Sequence, residues 1–224
     1  MPACLLEGLV LDLPLYSASK EHLTDKCGHT LYNFDEGNMD CVSSQGINGV
    51  PFYGIRLNEV NKPRPAWNIE NCIDDKLSFS FYFQADKVNG HGWSWAFSDK
   101  DDNYLQQVAT SYGGISRFCA IADTKKNQFL FLPTYPTYGA IYFLTVTLDS
   151  QTAKLYINGR FSNETAFPFS EEIASIGLRA KGLTYDGSND SLFAFRQYKL
   201  FNRVLTDKEV AVLYAEEAAR LSER

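Results

Sequence analysis

The sequence predicts an all-β protein, a two-sheet antiparallel jelly-roll sandwich with a short C-terminal α-helix, formed as a single domain over residues 1–224. Many short segments alternate apolar and polar residues, which is typical of half-buried strands. One segment near the C-terminus has helical spacing instead. No internal repeat, low-complexity tract or linker divides the chain.

The predicted strands are bounded by residues that favour turns. Residues 17–50 carry many Ser, Asn, Gly and Asp, so they are predicted to be mostly long loops around one short strand. Asn158-Gly159 is a strong signal for a type I′ hairpin turn. The strands are predicted at residues 8–14, 30–34, 51–58, 77–84, 92–98, 104–109, 115–122, 128–132, 141–148, 154–157, 173–179 and 192–204.

The segment 77–84 gives the clearest strand signal, because its alternate positions differ in polarity. Leu and Phe occupy one face, which is predicted to point into the core. The other face is predicted to be a small polar outer surface, and it carries Ser78, Ser80, Tyr82 and Gln84.

The C-terminal helix is predicted at about residues 206–220. Thr206 suits the N-cap position and Glu209, three residues later, completes a capping box. Leu205 and Val210 are spaced as a hydrophobic staple, and Asp207 in the first turn suits the positive end of the helix dipole.

The last strand contains a break in alternation. Phe193 and Phe195 share one phase, whereas Tyr198 and Leu200 share the opposite one. A one-residue slip moves every later side chain to the other face, so a β-bulge at Arg196 and the residue after it would restore the phase. We expect Phe195, Tyr198 and Leu200 to point inward. Arg196 is expected to turn toward solvent or toward the acidic loop that precedes the strand.

Composition and charge exclude several classes of function. A net charge of −6 argues against binding to a nucleic-acid phosphate backbone. No apolar run reaches transmembrane length, so membrane insertion is not expected. The first seven residues lack the basic region of a signal peptide. The localisation is left unknown; synthesis in the cytoplasm is expected, and association with a virion is one setting that fits.

The cysteines are odd in number and none forms a C-x-x-C pair. A zinc site and a complete disulfide framework are therefore not expected. We predict five reduced, mostly buried and structurally silent thiols. They are Cys4, Cys27, Cys41, Cys72 and Cys119.

Three segments resemble a known family. Residues 197–206, Gln-Tyr-Lys-Leu-Phe-Asn-Arg-Val-Leu-Thr, resemble the closing motif of the laminin-G-like branch of the concanavalin A-like lectin/glucanase superfamily. Residues 144–159 are similar to the hairpin of that branch, and residues 8–14 are similar to its opening strand. The segments stand in the family's order. The resemblance implies one domain of this fold, which hosts lectins, adhesins, hydrolases and structural modules.

The sequence does not carry the catalytic pattern of the superfamily's glucanases. Those enzymes place paired carboxylates on one strand, spaced E-x-D-x-(x)-E, and this chain has no E-x-D. Ser94 lies in a segment that faintly resembles a nucleophile elbow, but it sits inside an alternating strand rather than at a sharp turn. We therefore predict that the protein is not an enzyme. A diverged glycoside hydrolase is kept as an alternative.

Two acidic turns offer oxygen ligands that suit calcium. No cofactor is required by the sequence, and calcium is left as an open alternative. The family that this chain resembles has an aspartate in its closing motif at the position where this chain has Arg196. A positively charged side chain at this position argues against a bound metal ion. The candidate metal ligands are Asp99, Asp101, Asp102, Asp186 and Asp190.

Aromatic residues give the best indication of function. Lectin sites stack aromatic rings on sugars and bond the sugar hydroxyls with polar side chains. An aromatic stripe at strand spacing can also be core, whereas a loop bounded by Pro and Gly favours exposure. The candidate ligand-binding residues are Trp93, Trp95, Tyr104 and Tyr112 on or beside the middle strands, and Tyr135 and Tyr138 in such a loop.

These features favour a non-catalytic recognition or adhesion module that binds a glycan on a loop edge or a sheet face. The second hypothesis is a phage or virion surface protein that uses a lectin-like fold for attachment and assembles into a larger complex. The expected partner is accordingly a glycan or a surface protein.

Overall fold

A computed structural model describes residues 6–15, 23–32, 39–45, 51–57, 66–85, 92–99, 104–110, 118–123, 126–134, 136–137, 140–169, 172–178 and 193–222. Within these ranges the chain forms two antiparallel sheets and one α-helix. The predicted all-β jelly-roll sandwich with a C-terminal helix is confirmed.

Sheet A contains eight strands and sheet B contains seven. In spatial order, sheet A runs β13 (Arg160–Ala166), β12 (Thr152–Ile157), β11 (Ile141–Leu148), β6 (Leu77–Ala85), β15 (Phe193–Phe201), β4 (Pro51–Leu57) and β3 (Met39–Gln45), and β1 (Leu9–Leu13) pairs with β15. Sheet B runs β10 (Gln128–Phe131), β9 (Phe118–Asp123), β8 (Tyr104–Thr110), β7 (Gly92–Ser98), β14 (Ser175–Leu178), β5 (Ala66–Asn68) and β2 (Leu31–Tyr32). The helix is α1 (Asp207–Ser222).

Apart from β13, which the predicted Asn158-Gly159 hairpin turn implies, two strands were missed because their composition does not indicate a strand. The polar segment β3 was predicted as loop, yet it pairs with β4 from Met39↔Leu57 to Gln45↔Pro51. The strand β5 has only three residues, too few to show alternation, and it is held by pairing with β14 and β2. In both cases the neighbouring strand supplies the hydrogen bonds that define the element.

An aromatic core lies between the two sheets. Phe79, Phe81 and Phe83 of β6 are fully buried, as predicted. The ring of Tyr198 from β15 stacks on Trp95 of β7, with ring centroids 4.2 Å apart, and on Phe81 at 5.6 Å. These contacts join the centre of sheet A to the centre of sheet B.

The second face of β6 is not the solvent-exposed surface that alternation predicted. Ser78, Ser80, Tyr82 and Gln84 are all nearly or fully buried. The cause is α1, which packs on this outer face of sheet A. A second apolar cluster forms there from Tyr82, Ile141, Phe143, Tyr156, Phe201, Leu205, Val210 and Leu213.

The segment that leads into α1 is fixed by the capping contacts that the sequence predicts. The Thr206 amide donates to Glu209 Oε2 at 2.8 Å, and the Glu209 amide donates back to Thr206 Oγ1 at 3.3 Å. Leu205 and Val210 are buried together. Arg203 also bonds Glu209 at 2.8 Å, and this hydrogen bond lowers the pKa of Glu209 to about 2. The helix begins at Asp207 and extends beyond its predicted end.

The predicted β-bulge in the last strand is confirmed. The register of β15 against β6 shifts between Arg196 and Lys199, and Gln197 has a φ of +55°. Tyr198 and Leu200 are fully buried in the core; the side chain of Phe195 lies outside the described residues. The expectation that Arg196 turns to solvent is wrong. It is only 5% exposed, and it pairs with Tyr82, whose side chain lies on the face of sheet A that α1 covers.

The turn between β12 and β13 is the predicted Asn158-Gly159 hairpin turn. Both residues have positive φ, +51° and +74°, as a type I′ turn requires. A Cβ on Gly159 would lie 2.8 Å from the Cβ of Tyr214 in α1. We expect Gly159→Ala to lower the free energy of unfolding by more than about 1 kcal/mol in a denaturant titration.

Gly28→Ala is the matched control for this substitution. Gly28 has a φ of +95°, but nothing lies within 4 Å of the Cβ that would be added. It therefore reports the backbone strain alone. If Gly159→Ala costs no more than Gly28→Ala, the close packing of α1 on this turn is contradicted.

Candidate functional site

The two outer faces of the sandwich differ. The outer face of sheet A is covered by α1, whereas no helix lies on the outer face of sheet B in the part of the chain that the structure describes. We call this second surface the helix-free face. In β5, Trp67 belongs to the core and Asn68 is exposed. In β14, Ile176 belongs to the core and its neighbours Ser175 and Gly177 are half-buried.

One row of residues crosses the helix-free face through small side chains. Strand pairing joins Tyr32 to Ala66, Ala66 to Gly177, and Gly177 to Ala96. The row continues through position 106 to Ala122 and Phe129. Tyr32 at one end is 37% exposed, and at the other end Phe129 stacks on Phe131 with centroids 5.5 Å apart. The row is therefore a low floor only at the half-buried Ala66 and Gly177. Beyond them it passes through the buried Ala96, Gln106 and the buried Ala122 before it reaches Phe129.

The neighbouring row is polar. Asn68 pairs with Ser175, Ser175 pairs with Ser98, and Ser98 pairs with position 104. The Oδ1 atom of Asn68 accepts a hydrogen bond from the Glu70 amide at 3.0 Å, which fixes the orientation of the side-chain amide. This row places one amide and two hydroxyl groups beside the low floor, where they can bond the hydroxyls of a ligand.

Trp95 was predicted to bind ligand, and the structure contradicts this. Its side chain is fully buried, stacked on Tyr198 and 6.1 Å from the ring of Trp67. The alternation of β7 placed Trp95 in the core, as the alternative interpretation held. The side chains of Trp93 and Tyr104 lie outside the described residues, although their strands are described, and so do Tyr112, Tyr135 and Tyr138.

The calcium hypothesis concerns residues that are mostly outside the described ranges. Asp99 is half-buried just after β7, whereas Asp101, Asp102, Asp186 and Asp190 are not among the described residues. Within the described ranges, no group of three or more His, Cys, Asp or Glu residues is arranged to hold a metal ion. Calcium binding, and the expected approach of Arg196 to the acidic loop that precedes β15, stay predictions.

The residues of this candidate surface that sequence reasoning missed are Tyr32, Asn68 and Ser175. Each lies in a strand of two to four residues, which is too short to establish a face from alternation. A weak signal was available, because Asn68 stands between the apolar residues Trp67 and Ile69.

A buried charge network lies on the opposite side of the molecule, between sheet A and α1. Lys199 Nζ contacts Asp12 Oδ1 at 2.6 Å and Glu217 Oε1 at 3.7 Å. Gln197 Nε2 donates to the same oxygen of Asp12 at 3.1 Å. Burial raises the pKa of Glu217. The network joins β1, β15 and α1, so its role is to hold the helix on sheet A.

The cysteines are less buried than predicted. Cys119 is buried, but Cys72 is half-buried and Cys27 is exposed. All three are free thiols; the side chains of Cys4 and Cys41 lie outside the described residues.

In the described part of the chain, no helix combines the length and the apolar composition that crossing a membrane requires.

Solved structures similar to this chain are binding domains. The binding domain of botulinum neurotoxin serotype G has a TM-score of 0.69 and 15% identity over 94% of this chain and 51% of its own. A structure of botulinum neurotoxin type C, whose cell entry is described as dependent on two ganglioside molecules, has a TM-score of 0.68 and 17% identity over 96% of this chain and 52% of its own. The chain thus spans about half the length of these toxin domains.

A third similar structure matches the chain along nearly its whole length. It is domain 4 of AbnA, an extracellular GH43 arabinanase from Geobacillus stearothermophilus, in complex with arabinotriose. Its TM-score is 0.61, with 18% identity over 92% of this chain and 98% of that domain. These likenesses establish the fold.

Sequence comparison identifies the family. No curated protein sequence matches the chain. The sequence model of a laminin-G family, described as the concanavalin A-like lectin/glucanases superfamily, matches residues 65–211. This match covers more than half of the chain and includes the hairpin and the closing motif that the sequence analysis singled out. The chain therefore belongs to the concanavalin A-like lectin/glucanases superfamily, in its laminin-G-like branch.

Proposed function

We propose that the protein is a non-catalytic glycan-binding module, and that the helix-free face of sheet B is its binding surface. The observation that carries the proposal is the pair of adjacent rows on that face, one a floor of Ala and Gly and the other a line of Asn68, Ser175 and Ser98. Such a surface offers both shape and hydrogen-bonding groups to an extended ligand.

The physical fit is to a chain of sugar rings. The half-buried small residues Ala66 and Gly177 let a sugar ring approach the sheet backbone closely, whereas Ala96 beside them is buried. The amide and hydroxyl groups beside them bond the ring hydroxyls, and the exposed ring of Tyr32 can stack on the apolar face of a sugar at one end. A shallow surface of this kind buries little area, so modest affinity is expected.

The comparisons support this proposal unequally. The arabinanase domain matches along nearly all of both chains and was solved with arabinotriose, so it is the stronger support for an oligosaccharide ligand. The toxin domains match over about half their length. Their receptor contacts therefore carry less weight for this chain.

A second candidate function is docking to a protein partner in a larger assembly, as for a virion surface protein. It is favoured by Phe161, which is 53% exposed on β13, the edge strand of sheet A. Exposed aromatic residues on sheet edges are suited to protein contacts. This candidate predicts that Phe161→Ser weakens self-association or partner capture while leaving glycan binding unchanged.

A glycan array and a titration with the best ligand test the first proposal. The panel should contain arabinan, galactan and glucan oligosaccharides and sialylated glycans. We expect the double variant Asn68→Ala/Ser175→Ala to bind at least about tenfold more weakly, because two hydrogen-bonding groups are lost.

The matched control is the cross-strand pair Lys154 and Glu164 on the β12–β13 edge of sheet A. Like Asn68 and Ser175, these residues pair directly across two strands, and Lys154→Ala/Glu164→Ala should leave affinity unchanged. Equal losses in the two double variants would contradict the assignment of the surface.

A further inference from the structure

Three side chains at the β2–β5 edge of sheet B form a thiol–imidazole–carboxylate arrangement. The Sγ atom of Cys72 lies 3.6 Å from Nε2 of His29. The other ring nitrogen of His29, Nδ1, lies 2.7 Å from Oδ2 of Asp25. His29 and Asp25 belong to the segment that precedes β2, and Cys72 belongs to the turn that follows β5. The fold therefore brings together groups from two separate segments.

Asp25 is a fixed acceptor. Its side chain is fully buried, and it accepts hydrogen bonds from the amide of Asp12 at 2.7 Å and from the amide of His29 at 3.0 Å. A carboxylate held at Nδ1 keeps the proton of the neutral imidazole on that nitrogen. The unprotonated Nε2 of His29 then lies 3.6 Å from the Cys72 thiol, which is the arrangement of a nucleophile and its base. The thiol lies at the same distance, 3.6 Å, from the carbonyl oxygen of Glu70, which is a second acceptor for its proton.

A tight turn holds Cys72 in place. The Cys72 amide donates to the carbonyl of Ile69 at 3.1 Å, and Asn71 between them has a φ of +61°. Burial raises the pKa of the Cys72 thiol, so the thiol is protonated at rest and needs a base to react.

The backbone amides of the same turn restrict the reactions that the Cys72 thiol can carry out. The amides of Ile69, Glu70 and Cys72 all donate within the protein, to Ala174 O, Asn68 Oδ1 and Ile69 O. These amides are therefore occupied and do not form an oxyanion hole, which acyl transfer to the thiol would need. Attack on a disulfide develops no oxyanion, so it has no such requirement.

We propose that Cys72 is a nucleophilic thiol that exchanges with low-molecular-weight disulfides, with His29 as its base and Asp25 as the residue that positions His29. In the exchange, His29 Nε2 takes the thiol proton and Cys72 Sγ bonds to one sulfur of the disulfide. The disulfide bond breaks, and the departing thiolate recovers the proton. The Cys72 sulfur is oxidised, the leaving sulfur is reduced, and the product is a mixed disulfide on Cys72. The inference is independent of the glycan-binding proposal.

Cys27 is an internal control for this reaction. It is the more exposed of the two thiols, and its described hydrogen bond is to the Leu9 carbonyl at 3.9 Å. Burial and the nearby Asp25 raise the pKa of the Cys27 thiol to about 11. Exposure favours reaction at Cys27, whereas the raised pKa of its thiol disfavours it. The order of reaction therefore tests the proposal together with the His29→Gln variant, which isolates the role of the base.

The test treats the reduced full chain with oxidised glutathione at neutral pH and maps the modified cysteines by peptide mass analysis. We expect Cys72 to form its mixed disulfide at least about tenfold faster than Cys27. Modification of Cys27 before Cys72 would overturn the proposal.

His29→Gln removes the base but keeps a polar side chain. We expect it to slow the reaction of Cys72 by on the order of 10²-fold at neutral pH. The rate at Cys72 in this variant should recover at alkaline pH, where the thiol ionises without a general base. An unchanged neutral rate, or a loss that alkaline pH does not restore, would show that His29 has only a structural role.

The pH profile of the wild-type rate keeps the proposal testable if the variant fails to fold. The rate at Cys72 should already rise below the usual pKa range of a thiol, about 8.5. The ionisable groups on the packed elements are Asp25, Lys26, Cys27, Glu70 and Asp12. A rise confined to the thiol range would contradict the role of His29.

Discussion

Lys199→Ala is expected to lower the free energy of unfolding by about 3–5 kcal/mol. The ammonium group of Lys199 is fully buried, 2.6 Å from Asp12 and 3.7 Å from Glu217. Removing it leaves Asp12 and Glu217 buried without their shared cation, with the partly exposed Lys26 at 3.7 Å and Arg220 at 3.2 Å as their described cationic partners. It also removes a contact from β15 to both β1 and α1. Urea titration at neutral pH measures the loss, which should appear in the midpoint.

Glu217→Gln is the control for this prediction, and we expect a much smaller effect. Glu217 is the more distant partner of Lys199, and burial raises its pKa. A carboxyl group whose folded pKa is raised favours the folded state below its unfolded pKa of about 4.3, and that contribution is lost as the pH rises through the folded pKa. The variant should therefore gain stability relative to the wild type as the pH rises above about 4.3. A loss as large as that of Lys199→Ala would contradict the dominant role of Asp12.

Trp95→Ala is expected to lower the free energy of unfolding by about 3–5 kcal/mol and to leave the glycan affinity of the folded protein unchanged. The indole is fully buried between the sheets and contacts the rings of Tyr198 and Trp67. Its removal opens a large cavity where the two sheets meet. Denaturant titration and a binding titration on the same sample separate the two effects.

Tyr32→Ala is the complementary variant. Tyr32 is 37% exposed, so its removal should change stability by less than about 1 kcal/mol while weakening glycan binding. If instead Trp95→Ala abolishes binding without loss of stability, the assignment of Trp95 to the core is wrong.

Features that depend on local pattern were predicted well from the sequence. The alternation in β6 identified Phe79, Phe81 and Phe83 as core residues. The capping box at Thr206 and Glu209 located the start of α1 within one residue. The break in phase near Gln197 predicted the bulge. In each case the determining contacts are close in sequence or follow from strand geometry.

Features that depend on the placement of distant elements could not be predicted in the same way. The polar face of β6 appeared solvent-exposed because nothing in its own sequence shows that α1 covers it. On this covered face, Ser78 Oγ donates to the Arg203 carbonyl at 2.8 Å and accepts from the Leu205 amide at 2.9 Å, whereas Ser80 Oγ and Tyr82 OH are buried without a hydrogen-bond partner among the residues that the structure describes. Arg196 was misplaced for the same reason, because it pairs with Tyr82 and nothing in the strand's own sequence shows that α1 covers that face.

The candidate site also depends on the placement of distant elements, which the sequence does not show. Sequence reasoning favoured large aromatic residues, but Trp95 is held in the core by its position in β7. The surface inferred from the structure depends on small residues, among them Ala66 and Gly177, which carry no distinctive sequence signal. Only the pairing of β2, β5, β14 and β7 brings them into one row.

An NMR titration of the isotope-labelled chain with arabinan and sialylated oligosaccharides tests the central claim that the helix-free face binds glycans. Backbone amide shifts report the bound surface directly. The predicted result is a contiguous set of saturable shifts at Asn68, Ser98, Ser175 and Tyr32, with none at Lys154 on the control edge. Shifts confined to the β12–β13 edge, or no shift with any glycan of the panel, would contradict it.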